Sequence, residues 1–110
     1  MISQDDAESA VEWIGKYAKR MAEARAQRVY MEQWVKTVKA TIQSEQTGLS
    51  SAAAETVALA SPRYMEALQA YKQAIESDEY FRFLVSHAEA RIEAWRSQES
   101  TRRAEGRATA

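Results

Sequence analysis

Apolar and small residues recur along the first forty or so positions with helical spacing. They fall at Ala7, Val11, Ile14, Ala18, Met21 and Ala24, then at Met31, Val35, Val38 and Ile42. Steps of three and four dominate, the spacing of a stripe that packs against a partner helix. The phase slips once, where the step from Met21 to Ala24 repeats a three and the next seam position holds Arg28. A second stripe runs Met65, Leu68, Tyr71, Ile75 and resumes at Phe81, Leu84, Ala88, Arg91 or Ile92, and Trp95. Glu76-Ser77-Asp78-Glu79 fills the gap between its two parts, which predicts a kink or register shift there. No segment carries a strand signal.

The breakers lie between the stripes. Gly48 sits within Gln46-Thr47-Gly48-Leu49-Ser50-Ser51, and Ser61-Pro62 reads as an N-cap followed by the first helical residue. Ser51 to Leu59 predicts a short helix of two turns. Ser3 opens the first stripe with Asp6 three residues on, a capping-box-like arrangement, and Ile2 is placed to staple against Ala7. The predicted fold is all-α, a long antiparallel helical hairpin with a short connecting helix. Arm 1 covers about 3–45, the connector 46–61 and arm 2 about 62–104, one domain over 1–105, with a frayed tail at 106–110.

An antiparallel hairpin also gives the two irregularities a common cause. Partner residues then sum to roughly 104, so Arg28 lies level with Glu76 and Ala24 with Tyr80. Both phase slips meet at one level, which predicts an internal polar layer of Arg25, Arg28, Glu76, Asp78 and Glu79. Such a layer specifies register, generally at some cost in stability.

Composition narrows the chemistry. The chain has 110 residues, 45% hydrophobic and 28% charged, as in a globular protein rather than a disordered one. It has no cysteine and one histidine, His87, so Cys–His chemistry is excluded and a Ser–His–Asp site would need that residue. Carboxylate pairs such as Glu76 with Glu79 lack the repeated, regular spacing of helical metal-dependent nucleotide hydrolases, and no phosphate loop, nucleophile elbow or zinc-ligand pattern occurs. No cofactor and no metal are expected. Trp13-Ile14-Gly15 matches the W-x-G of small helical-hairpin secretion substrates, but it lies about thirty residues before the turn that motif marks, so it is read as a chance match. No apolar run is long enough for a bilayer, and the first residues lack signal-peptide order, so a cytoplasmic protein with no membrane partner is expected.

The net charge of −1 is unevenly spread. Acids open the chain, a basic block follows from Lys16 to Lys39, and arginines recur from Arg91 onward. Arg25, Arg28, Arg91, Arg96, Arg102 and Arg103 are the candidate contacts to nucleic acid or a partner. The competing reading sets each basic block against an acidic block on the other arm. Trp13, Tyr17, Tyr30, Trp34, Tyr71, Phe81 and Trp95 make an apolar face wider than two helices can hide, which predicts a homodimeric bundle or larger with these residues at its interface.

Ala22-Glu23-Ala24-Arg25-Ala26-Gln27-Arg28-Val29-Tyr30, with Lys36 and Lys39 following, resembles a class of small helical proteins of tailed bacteriophages. So does Ala90-Arg91-Ile92-Glu93-Ala94-Trp95-Arg96-Ser97-Gln98, with Arg102-Arg103-Ala104-Glu105-Gly106 near the end. Members are typically encoded among recombination and replication genes. The resemblance implies a non-enzymatic accessory factor in phage DNA recombination or replication, in the host cytoplasm, acting through DNA or a phage recombination or replication protein. The alternative is an adaptor or inhibitor directed at a host protein without nucleic-acid contact, and a helical metal-dependent nucleotide hydrolase is a distant third.

Overall fold

The computed structural model describes residues 1–109, and it is all-helical: α1 (Gln4–Ser44), α2 (Ser51–Leu59) and α3 (Pro62–Thr109). One boundary differs from that expected. Helix α3 continues through the segment expected to fray, as far as Thr109, and it runs through Glu76–Glu79, where a kink or register shift was expected, as one helix. Arg, Ala and Glu propagate an existing helix cheaply, and Gly106 costs it only about 1 kcal/mol. The Thr109 hydroxyl donates back to the Glu105 carbonyl at 3.1 Å. The last residue of the expected tail, Ala110, lies outside the described residues.

Burial corrects the predicted seams. In α1 the buried and half-buried positions include Ala7, Ala10, Ile14, Tyr17, Met21, Ala24, Arg28, Met31, Val35, Val38 and Ile42, alternating threes and fours throughout. Val11 and Ala18, expected on this seam, are exposed; Ala10 and Tyr17 take their places. In α3 the same alternation runs Tyr64, Ala67, Tyr71, Ala74, Asp78, Phe81, Val85, Ala88, Ile92 and Trp95. Met65 is exposed, and Leu68, Ile75 and Leu84 flank the seam half-buried. Neither helix slips phase. Each carries one charged residue in a seam position, Arg28 in α1 and Asp78 in α3, and the heptad continues past it.

The chain divides into two compact units, a terminal unit of Met1–Met21 with Tyr80–Ala110 and a central unit of Ala22–Glu79. The central unit has a three-helix core in which Val35, Val38, Ile42, Ala58 and Ala67 are buried and Tyr64, Leu68 and Tyr71 pack against them. Helix α2 starts at Ser50, whose hydroxyl accepts the Ala53 N–H at 3.2 Å. Gly48, at φ 80, supplies the left-handed residue that lets the chain leave α1. Lys39 and Glu55, 2.9 Å apart, join α1 to α2; Arg63 Nη1 reaches both carboxylate oxygens of Glu45, at 3.0 and 2.8 Å.

In the terminal unit, Ser3 and Asp6 form a reciprocal cap: the Ser3 N–H donates to Asp6 Oδ2 at 3.0 Å and the Asp6 N–H to the Ser3 hydroxyl at 3.1 Å. Two further ties hold α1 antiparallel to α3. Arg91 meets Asp6 at 3.0 Å, and the Gln98 amide accepts the Ile2 N–H at 3.1 Å while donating to the Ile2 carbonyl at 2.6 Å. Among the described residues no helix is long and apolar enough to cross a membrane.

Candidate functional site

Five residues were expected in a polar layer, and the structure brings three of them together. Arg28 Nη1 lies 3.1 Å from Asp78 Oδ2 and 2.7 Å from Glu79 Oε1. Asp78 is the one buried charged residue among those described, at 4% exposure, and Arg28 keeps part of its side chain in water. Hydrogen bonds to Glu79 and then Asp78 raise the Arg28 pKa above its usual value, so the guanidinium stays charged. Glu76 is exposed, two to three residues short of the level at which Arg28 finds its partners. Arg25 points outward and makes no ion pair among the described residues, because it flanks the seam position that Arg28 occupies.

The arginines expected to grip phosphate are mostly engaged. Besides Arg28, Arg91 pairs with Asp6 across the helices, Arg102 with Glu99 at 3.0 Å along α3, and Arg96 more loosely with Glu93 at 3.8 Å. Arg25 and Arg103 hold no carboxylate among the described residues. Asp6 is held below the ordinary carboxylate range, first by the Ser3 backbone N–H, then by the Ser3 hydroxyl and the Arg91 charge.

The aromatics divide by their place in the heptad. Tyr17, Tyr71, Phe81 and Trp95 occupy seam positions and are half-buried, as is Trp13, whose ring centroid lies 5.2 Å from that of Tyr17. Tyr30 and Trp34 are exposed. Phe83 and Tyr80, absent from the expected interface, are the most exposed aromatics, at 72% and 62%. Counting α3 from Ala74 and Asp78 rather than Ile75 would have turned both outward. Lys16 and Arg20 sit over the Tyr17 ring, 5.7 and 5.4 Å from its centroid, giving α1 a small cation–aromatic cluster.

Among the described residues no three His, Cys, Asp or Glu side chains converge as a metal site, and no buried side-chain nitrogen or oxygen lacks a hydrogen-bond partner. His87 is exposed on α3. Chemically, the arrangement offers helix faces, aromatic rims and paired charges. Compared with protein-family models, with curated proteins and with solved structures, the chain matches none of them.

Proposed function

We propose that this chain is a non-enzymatic helical interaction protein that works as a self-associated bundle, at least a homodimer, and docks a protein partner. One observation carries the reading. The chain exposes 8045 Å² of surface, whereas a folded monomer of 12.5 kDa exposes about 6,200 Å². The difference, about 1,800 Å², exceeds the roughly 800 Å² that each partner buries in a stable interface. The core is correspondingly small: seven of the eleven buried apolar residues are alanine, and most large apolar side chains keep contact with water. Sedimentation equilibrium at micromolar concentration should return a dimer or larger; a monomer that retains its helicity and unfolds cooperatively would refute the proposal.

An accessory role in phage DNA recombination or replication remains the setting implied by the sequence resemblance, and an adaptor or inhibitor of a host protein fits the same surfaces. Arg28 and Arg91 are paired across the helices, which favours a protein partner over DNA, while Arg96 and Arg102 hold only exposed neighbours along α3. A second, nucleic-acid reading draws on Trp13, Lys16, Tyr17 and Arg20, where rings and cations adjoin as in single-strand binders. Fluorescence anisotropy with single- and double-stranded oligonucleotides at about 50 mM salt separates the two. Binding lost on Tyr17→Ala with Arg20→Ala favours DNA, and no binding by the native chain favours the protein partner.

A further inference from the structure

The two units differ in what they bury. The central unit encloses Val35, Val38 and Ile42 beneath a third helix and buries Met31 as well, whereas the terminal unit buries only Ala7, Ala10 and Ala88. Ile14, Met21, Val85, Ile92 and Trp95 of the terminal unit all remain partly open to water. A pair of helices has one mutual seam, and here alanines fill its most enclosed positions. Beside that seam lies a groove of about 400 Å³, floored by Ala7, Val11, Ile92 and Trp95 and rimmed by Glu8 and Glu12 on α1 and Arg96 on α3. Val11, 56% exposed, and Ala18 one heptad on belong to the same flank of α1. The apolar stripe of α1 is thus wide enough for two seams, of which the chain itself uses one.

Resting on the self-association proposed above, we infer that the terminal unit is the dimerisation element and that a second copy of this chain seats its own terminal groove on this one, forming a four-helix bundle. Charge selects the arrangement. A two-fold axis parallel to the helices lays α1 of one copy over α3 of its partner, so that Glu8 and Glu12 meet the partner's Arg96, twice per dimer. A two-fold axis across the helices would lay α1 on α1 and set acid against acid, which costs affinity. The chosen arrangement makes every neighbouring pair of helices antiparallel, the usual packing of up-and-down bundles. The excess exposed area, more than twice what each partner in a stable complex buries, accommodates it.

The test uses the full chain and two charge-reversed variants, Arg96→Glu and Glu8→Arg/Glu12→Arg, whose changes lie on exposed positions. Each variant alone should dimerise at least about tenfold more weakly than the native chain, and an equimolar mixture should recover native affinity as a heterodimer. Val11→Glu, outside the intrachain seam, should sediment as a monomer with unchanged helical circular dichroism, whereas Phe83→Ala should stay dimeric. A native chain that dimerises while Val11→Glu dimerises equally well overturns this interface and leaves self-association standing. Reversed variants that do not weaken, or a mixture that does not recover, overturn the arrangement. A native chain that is monomeric overturns the self-association reading itself.

Discussion

Replacing Asp78 with alanine probes the charged step in the heptad directly. Asp78 is 4% exposed and accepts from Arg28 at 3.1 Å. Removing one partner of a fully buried ion pair costs about 3–5 kcal/mol, mostly because the other charge is stranded. Two features of this site lower that figure. Arg28 keeps a second carboxylate, Glu79, at 2.7 Å, and its side chain is 30% exposed, so water reaches it. Alanine's better helix propensity returns a few tenths of a kcal/mol. The expected cost of Asp78→Ala is therefore about 2 kcal/mol, while Glu79→Ala, at a side chain 37% exposed, should cost less than about 1 kcal/mol. With an unfolding entropy of about 2.1 cal/mol/K per residue, the Asp78 change should lower Tm by about 9 °C. Thermal and urea unfolding followed at 222 nm, at one fixed protein concentration, reads both variants. Equal losses for the two would mean that the seam position of Asp78 has no energetic consequence. The paired change Arg28→Leu with Asp78→Leu should cost less than Asp78→Ala alone, since it leaves no charge stranded in the seam.

Three further outcomes are expected. Gly15→Ala, at a helical position where an added Cβ meets nothing within 4 Å, should stabilise by about 0.5–1 kcal/mol, whereas Gly48→Ala, at φ 80, should destabilise by about 1 kcal/mol, both read by urea midpoints. Ile42→Ala should cost about 3 kcal/mol, because Ile42 is 3% exposed at the centre of the three-helix core. The Ser3 N–H holds the folded pKa of Asp6 below the ordinary carboxylate range, so its charge stabilises the fold above that range and the contribution is lost as pH falls through the lowered value. Acid unfolding should therefore show the native chain ahead of Asp6→Asn at pH 6 and the two converging on acidification; a constant gap would assign the effect to packing.

The helices, their approximate ends and the connector were legible because glycine, proline and serine stand where the chain must turn, at Gly48, Ser50 and Ser61-Pro62. The seam was legible only in part. Reading apolar residues alone chose Val11 and Ala18 over Ala10 and Tyr17, because a wide apolar face offers two parallel stripes and the sequence does not say which one the chain uses on itself. The same bias turned two charged seam residues into apparent phase slips. What placed Arg28 near Asp78 and Glu79 was the antiparallel level argument, off by two to three residues from Glu76. Lys39 with Glu55, Arg63 with Glu45, and Gln98 on Ile2 were not foreseen: any surface acid has several bases within reach, and only the rotation of each helix decides among them.

Helix α2 and its flanking ion pairs also bear on the order in which the chain orders itself. Lys39 and Glu55 are 16 residues apart, and Glu45 and Arg63 are 18 apart, whereas Arg28 and Asp78 are separated by 50 and Ile2 and Gln98 by 96. Closing a small loop costs less chain entropy than closing a large one. Contacts around α2 therefore form at the least expense, and each later pair then has less chain to close than it would have alone. The order this predicts is a zipper that starts at the connector and ends at the termini. Substitutions near α2 should slow folding, and those near Ile2 and Gln98 should mainly hasten unfolding.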